Sequence, residues 1–238
     1  MEAYQRVSQS EKAAAATALI GKAQERFGGI FKLLFFTCAC GVIASGIISI
    51  ITAATSFAPP FDFINYVFLT IFGLLMFFID LPYETPLLRG FRYAMFTYAL
   101  FMTRFVGRGV WYLFLASMTV GALWDNNVLP FLGFILGAYI AAVAGYSIFY
   151  GWRLSKSLEG VRVKILEQGP EQWGAYIPPD GLSKVQFRDL AASLNGVTFT
   201  DEQLGYIVAA MSFDVRSDDI ISREEFEEWV RGPSMIVL

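Results

Sequence analysis

Histidine is absent from the 238 residues. That excludes imidazole metal ligands and imidazole general bases. Cysteine is almost absent: Cys38 and Cys40 lie two apart in an apolar run. They lack the companions that a zinc or iron–sulfur site needs, and two cysteines are too few for a disulfide framework. They read as small buried helix residues, with reversible acylation as the alternative. Charge is also scarce, at 16% of residues against about 25% in a soluble domain. Paired carboxylates, a nucleophile–base pair and a phosphate-cradling loop are not evident, so the sequence predicts no enzyme. What is plentiful is apolar surface: 55% hydrophobic residues, 23 of them phenylalanine.

The few charges are unevenly divided. Residues 1–156 carry eleven Lys/Arg against seven Asp/Glu, and residues 157–238 carry seven against fourteen. Such asymmetry marks two physical environments in one chain. The acidic second part argues against nucleic acid as a partner. The stretch before Gly29 is polar and Ala-rich, without the apolar core of a signal peptide, so the first apolar run is expected to act as an uncleaved anchor.

Four runs approach the roughly 20 apolar residues that cross hydrocarbon. Residues 31–57 are uncharged after Lys32 and stop at Ala58-Pro59-Pro60, because proline cannot continue a helix. Residues 63–80 form the second run and end at Asp80. Residues 107–124 and 129–152 form the third and fourth, joined through the turn signal Asp125-Asn126-Asn127. Between the second and third, residues 87–106 are apolar but carry Arg89, Arg92 and Arg104, with Arg108 just beyond. That pattern predicts an interfacial helix, or an early extension of the third span with snorkelling arginines.

Cationic residues flank the first span on its N-terminal side, fill the segment between spans two and three, and follow the fourth. The other two loops, 58–62 and 125–128, hold no Lys or Arg. The positive-inside bias therefore predicts both termini in the cytosol. Gly133, Gly137, Ala141 and Gly145 recur every four residues on the fourth span, as do Gly41, Ser45 and Ser49 on the first. Small-residue stripes allow close helix approach. A pore-lining helix is the competing reading, and the lack of charge well inside any span weighs against it.

The expected organisation is a cytosolic N-terminal helical segment over 1–29, a four-span membrane domain over 30–156, a linker over 157–178, a degenerate EF-hand pair over 179–232 and a tail over 233–238. Residues 157–168 are equally able to extend the fourth helix. Helices are predicted over 184–194, 201–212 and 223–231, with Thr200 and Gln203 as a capping box. Between the last two helices, Asp214-Val215-Arg216-Ser217-Asp218-Asp219-Ile220-Ile221-Ser222-Arg223-Glu224-Glu225 resembles an EF-hand loop. Asp214, Asp218, Ser222 and Glu225 occupy oxygen-ligand positions 1, 5, 9 and 12. Arg216 stands where an oxygen is usual, and Asp219 replaces the turn glycine. Calcium, bound weakly or no longer bound, is the one cofactor expected. Upstream, Asp180-Gly181-Leu182-Ser183 looks like half of a partner loop, with Gln186 in place of the acidic anchor. The apolar end, Met235-Ile236-Val237-Leu238, is expected to pack on this module or to fill a partner's groove.

The fold class expected is all-α: a four-helix transmembrane bundle plus a small cytosolic EF-hand-like helical domain. The tight first hairpin, Glu84-Thr85-Pro86, Phe101, and Gly107-Arg108-Gly109-Val110-Trp111-Tyr112 resemble the COPI-associated, Tvp-type family of Golgi tetraspan proteins over residues 30–152. That resemblance implies Golgi or vesicle membranes, a non-enzymatic trafficking role, and coat or complex subunits as protein partners besides membrane lipid. Glu84 and Arg108 are positioned to pair near the headgroups. Alternatively, Gly107-Arg108-Gly109 is an interfacial turn with a snorkelling arginine. The competing functions are a calcium-modulated channel or transporter, and an accessory subunit of a large organellar complex.

Overall fold

The computed structural model describes residues 29–57, 59–81, 88, 90–91, 95, 99–125, 130–169, 177–178, 181–212, 220–232 and 236–238. The protein is all-α, with seven α-helices among the described residues and one ladder of two-residue strands. Four of the described helices are long and apolar enough to cross a membrane, so by length and composition the chain is an integral membrane protein. It divides into two compact units, residues 1–85 and 86–238.

The first unit contains α1 (Ile30–Ser56) and α2 (Pro60–Asp80). Helix α1 ends at Phe57, whose φ of 52° is left-handed and whose N–H donates to the Ala53 carbonyl. A bulky residue in that region costs about 1–3 kcal/mol. Pro59 then caps α2, and Pro60 takes the first helical position, where a missing N–H is harmless. The close approach between the helices is at Gly46, where a Cβ would collide with the Thr70 side chain, and at Gly73, where it would lie 2.9 Å from Ile43. Ser45 and Ser49 are buried as the small-residue stripe predicts, whereas Gly41 is only half-buried. Hydroxyls in these helices bond to their own backbone: Ser45 to the Val42 carbonyl at 2.8 Å, Thr52 to Ile48 at 3.0 Å and Thr70 to Tyr66 at 2.9 Å. In hydrocarbon no water offers a substitute, so this local bonding removes the burial penalty.

In the second unit, Leu88, Gly90, Phe91 and Met95 of the expected interfacial stretch are helical, and the rest of 87–98 lies outside the described residues. A 3-10 turn at Leu100–Thr103 follows, then α3 (Phe105–Asp125) and α4 (Pro130–Gln168). The third span thus starts earlier than position 107. The Gly-Arg-Gly segment is not an interfacial turn but part of the first helical turns, because Arg104 ends the 3-10 turn and α3 starts directly after it. Helices α3 and α4 are antiparallel: Gly133 faces Leu123, Gly137 faces Val120, and Gly109 faces Ala144 and Ile148. The sequence stripe holds for Gly133 and Gly137 and fails at Gly145, which is exposed and has nothing within 4 Å of the point where a Cβ would stand. The reason is angular. A four-residue step overshoots a 3.6-residue turn by about 40°, so three steps leave the interface. The contact continues instead through Ala144, Ser147 and Gly151, all buried.

Helix α4 has 39 residues, about 58 Å at 1.5 Å per residue, nearly twice the hydrocarbon thickness. Its uncharged part ends at Trp152, and the remainder projects beyond it. Residues 157–168 are therefore helix rather than linker. The chain leaves the helix at Gly169, whose φ is +88°. Exposed Phe131, Phe134 and Ile135 on the apolar half are consistent with lipid contact.

The helical module comprises β1 (Leu182–Ser183), α5 (Lys184–Asn195), α6 (Asp201–Met211), β2 (Ile220–Ile221) and α7 (Arg223–Arg231). All three helices start with reciprocal capping boxes: Ser183 with Gln186, Thr200 with Gln203, and Ser222 with Glu225. Strands β1 and β2 pair antiparallel, Leu182 opposite Ile221 and Ser183 opposite Ile220. Gly181, at φ +94°, lets the strands meet, since a Cβ would lie 2.5 Å from the Ile220 side chain. Phe187, Phe199, Phe226 and Trp229 fill the centre, with Phe187 5.9 Å and Phe226 5.4 Å from Trp229 between ring centroids.

Candidate functional site

Among the described residues, several long-range polar contacts join the module to α3 and α4. Arg162, on the charged half of α4, is buried. Its Nε donates to the Val230 carbonyl at 3.2 Å, and a terminal nitrogen donates to the Gly232 carbonyl. The other terminal nitrogen is held by both Glu159 oxygens, at 3.0 and 3.1 Å. Val230 and Gly232 lie at the C-terminal end of α7, where carbonyls lack intrahelical partners. A guanidinium there satisfies them and complements the helix dipole. Close by, Gly160 permits the approach of α5, since a Cβ would lie 2.9 Å from the Asn195 amide.

A second group sits at the start of α3. Phe105 stacks on Tyr206 of α6 at 3.7 Å and meets Tyr150 edge-on at 5.4 Å. Its carbonyl accepts a hydrogen bond from Ser147 at 2.9 Å. Arg108 does not snorkel. It is buried, donates from Nε to the Met102 carbonyl at 2.6 Å, and lies 5.9 Å over the Tyr206 ring. Gly107 is fixed by the same geometry, because a Cβ would strike the Phe101 carbonyl as the 3-10 turn folds back. Gly109 gives α3 its contact with the Ala144 carbonyl, 2.8 Å from where a Cβ would stand.

The end of the sequence inserts into this joint. Leu238 is fully buried. Its N–H donates to Ser155 Oγ at 2.9 Å and its carbonyl accepts from the Val106 N–H at 3.0 Å. Arg104 donates to the Val237 carbonyl at 3.3 Å. Gly151 leaves the room, since a Cβ would lie 2.5 Å from the Leu238 oxygen. Leu238 thus wedges against α3 and α4, where the sequence pointed to the module or a partner.

Of the sequence-derived calcium set, Asp214 and Asp218 lie outside the described residues, as does Glu84. Ser222 and Glu225 are brought together. Ser222 Oγ accepts from the Glu225 N–H at 3.3 Å, and a Glu225 carboxylate oxygen accepts from the Ser222 N–H at 2.8 Å. Gln186 makes the same bond to the Ser183 N–H at 2.8 Å. The two halves of the module are therefore built alike, with an amide where the other has a carboxylate. No cluster of three or more Cys, Asp or Glu able to hold a metal occurs among the described residues.

A cavity of about 350 Å³ opens between α4 and the α5–α6 connection. Tyr146, Phe149, Tyr150 and Arg153 line it from α4, Phe199 and Gln203 from the module. Gln203 Nε2 donates to the Tyr150 hydroxyl at 2.6 Å and ties the two walls together.

Sequence reasoning does not single out Arg162, Ser155 and Leu238 as parts of a joint. Glu159 three residues before Arg162 signals a helical ion pair, but its long-range acceptors carry no local signal. Comparison with protein-family profiles, characterised proteins and solved structures finds no match.

Proposed function

We propose that the chain is a non-enzymatic membrane scaffold of the Golgi and vesicle system, which holds an EF-hand-like helical module against the membrane and presents it to coat or complex subunits. The observation that carries this reading is the joint. Arg162 grips the end of α7, Phe105 stacks on Tyr206, and Leu238 is wedged beside α3 and α4. A module tethered only to supply local concentration needs no buried contacts with its anchor. One fixed by three separate contacts offers partners a defined orientation. The resemblance to Tvp-type motifs is what favours the compartment, and the positive-inside pattern is what favours the cytosolic side. The β1–β2 ladder and the matched Ser183–Gln186 and Ser222–Glu225 boxes support the EF-hand-like reading.

Imaging of the tagged full chain, with protease protection of sealed vesicles, tests this. Golgi residence with the module cleaved from outside is expected. A lumenal module, or residence in a membrane outside the secretory pathway, overturns the proposal.

The same joint favours one second reading, a calcium-modulated membrane protein. Ser222 and Glu225 open α7, and α7 ends on Arg162 of a spanning helix. A shift of α7 on ion binding would therefore reach α4 directly. Calcium-dependent conductance of the reconstituted full chain would favour that reading over the scaffold.

A further inference from the structure

The cavity beside α4 has the chemistry of a lipid headgroup site. Its α4 wall follows positions 146, 149, 150 and 153, one face of the helix. The uncharged run of α4 covers residues 130–152, and Arg153 is the first charge after it. The cavity therefore straddles the level at which α4 leaves hydrocarbon. Trp152 and Lys156 mark the same level, with the ammonium 3.9 Å over the indole ring, an arrangement suited to the membrane–water boundary. Below the cavity on the same side, Ile135, Tyr139 and Tyr146 are exposed in line, a path for an acyl chain.

The lining selects among headgroups. Four of its residues are aromatic and one, Arg153, is cationic. Aromatic faces attract a quaternary ammonium, which has no N–H to satisfy. A guanidinium pairs with a phosphate diester. A multiply charged anionic headgroup would need more cations than one. The Glu202 carboxylate, next to Gln203, lies within electrostatic range of Tyr150 and further disfavours it.

We propose that this cavity binds the phosphocholine headgroup of a membrane lipid, with the trimethylammonium among Tyr146, Phe149 and Phe199 and the phosphate on Arg153. The site rests on α4 crossing the membrane, not on the scaffold function. It would tie the module to the bilayer through the lipid.

The test uses the full chain in detergent, titrated with dihexanoyl-phosphatidylcholine below its micellar concentration and followed by thermal shift and native mass spectrometry. Saturable binding of one lipid is expected, about tenfold tighter than dihexanoyl-phosphatidylglycerol. Phe149→Leu keeps an apolar side chain and removes the π face, and should weaken the choline lipid about tenfold while leaving the glycerol lipid unchanged. Arg153→Gln should weaken both. Both positions are exposed, so the lipid-free melting temperature should stay at the parent value. Free phosphocholine should compete, and inorganic phosphate should not. Equal affinity for the two lipids, indifference to Phe149→Leu, or competition by phosphate alone would overturn the proposal.

Discussion

Arg162 Nε and the Val230 carbonyl meet at 3.2 Å across 68 residues of sequence, joining the charged half of α4 to the end of α7. Removing the guanidinium would strand two carbonyls and leave Glu159 without its partner. Arg162→Ala should cost about 3 kcal/mol, read as a lower melting temperature in detergent. Arg162→Lys should recover only part, because an ammonium cannot reproduce the fork that serves three groups. Full stability of Arg162→Ala would show that the joint does not hold the module.

Two glycines on α4 separate packing from pattern. Gly137→Leu should disrupt the α3–α4 contact by about 1–3 kcal/mol, since Val120 already occupies the space. Gly145→Leu points into open space and should change stability by no more than about 0.5 kcal/mol. Chemical denaturation of both variants in the same micelle decides the matter, and equal effects would contradict the observed helix phase.

Leu238 gives a third expectation. Leu238→Ala should destabilise the second unit by about 2–5 kcal/mol as a buried large-to-small change. Ser155→Ala, which removes the bond from the Leu238 N–H and the hydroxyl's own bond to the Gly151 carbonyl, should cost about 1–2 kcal/mol. Thermal melts of the pair should rank in that order. The reverse order would mean that the polar contact, not the burial, holds the segment.

Glu225 allows fold and ion binding to be told apart. Gln186 already performs in α5 the capping that Glu225 performs in α7. Glu225→Gln should therefore keep the module's stability to within about 0.5 kcal/mol, yet abolish any calcium response. Calorimetry on the full chain should find calcium affinity no tighter than about 1 mM. Submicromolar affinity surviving in Glu225→Gln would show that the ion sits elsewhere.

The four spans are legible in the sequence because length and hydropathy are local properties: residues 31–57 anticipate α1, and 129–152 the apolar half of α4. The capping box at Thr200 is legible for the same reason, since hydroxyl and amide stand three residues apart. The extent of α4 to Gln168 is an open alternative at that level, because a charged amphipathic stretch reads either way until something packs on it. Of the two sequence readings of Arg108, snorkelling is overturned by its burial, and pairing with Glu84 falls on a residue outside those described. The neighbours of Arg108 in sequence are glycines and apolar residues, and its acceptor, the Met102 carbonyl, is created by the 3-10 turn.

By itself the sequence determined where the chain can enter a membrane, where the three helices of its second part start, and that this part is acidic, because hydrophobic transfer, capping and charge act within a few residues. Tertiary structure alone decided which glycines touch a neighbour, that Arg162 closes α7, and that Leu238 is buried beside Ser155 and Val106. Those choices depend on helix phase and on groups up to 132 positions apart, which only packing brings within hydrogen-bonding distance.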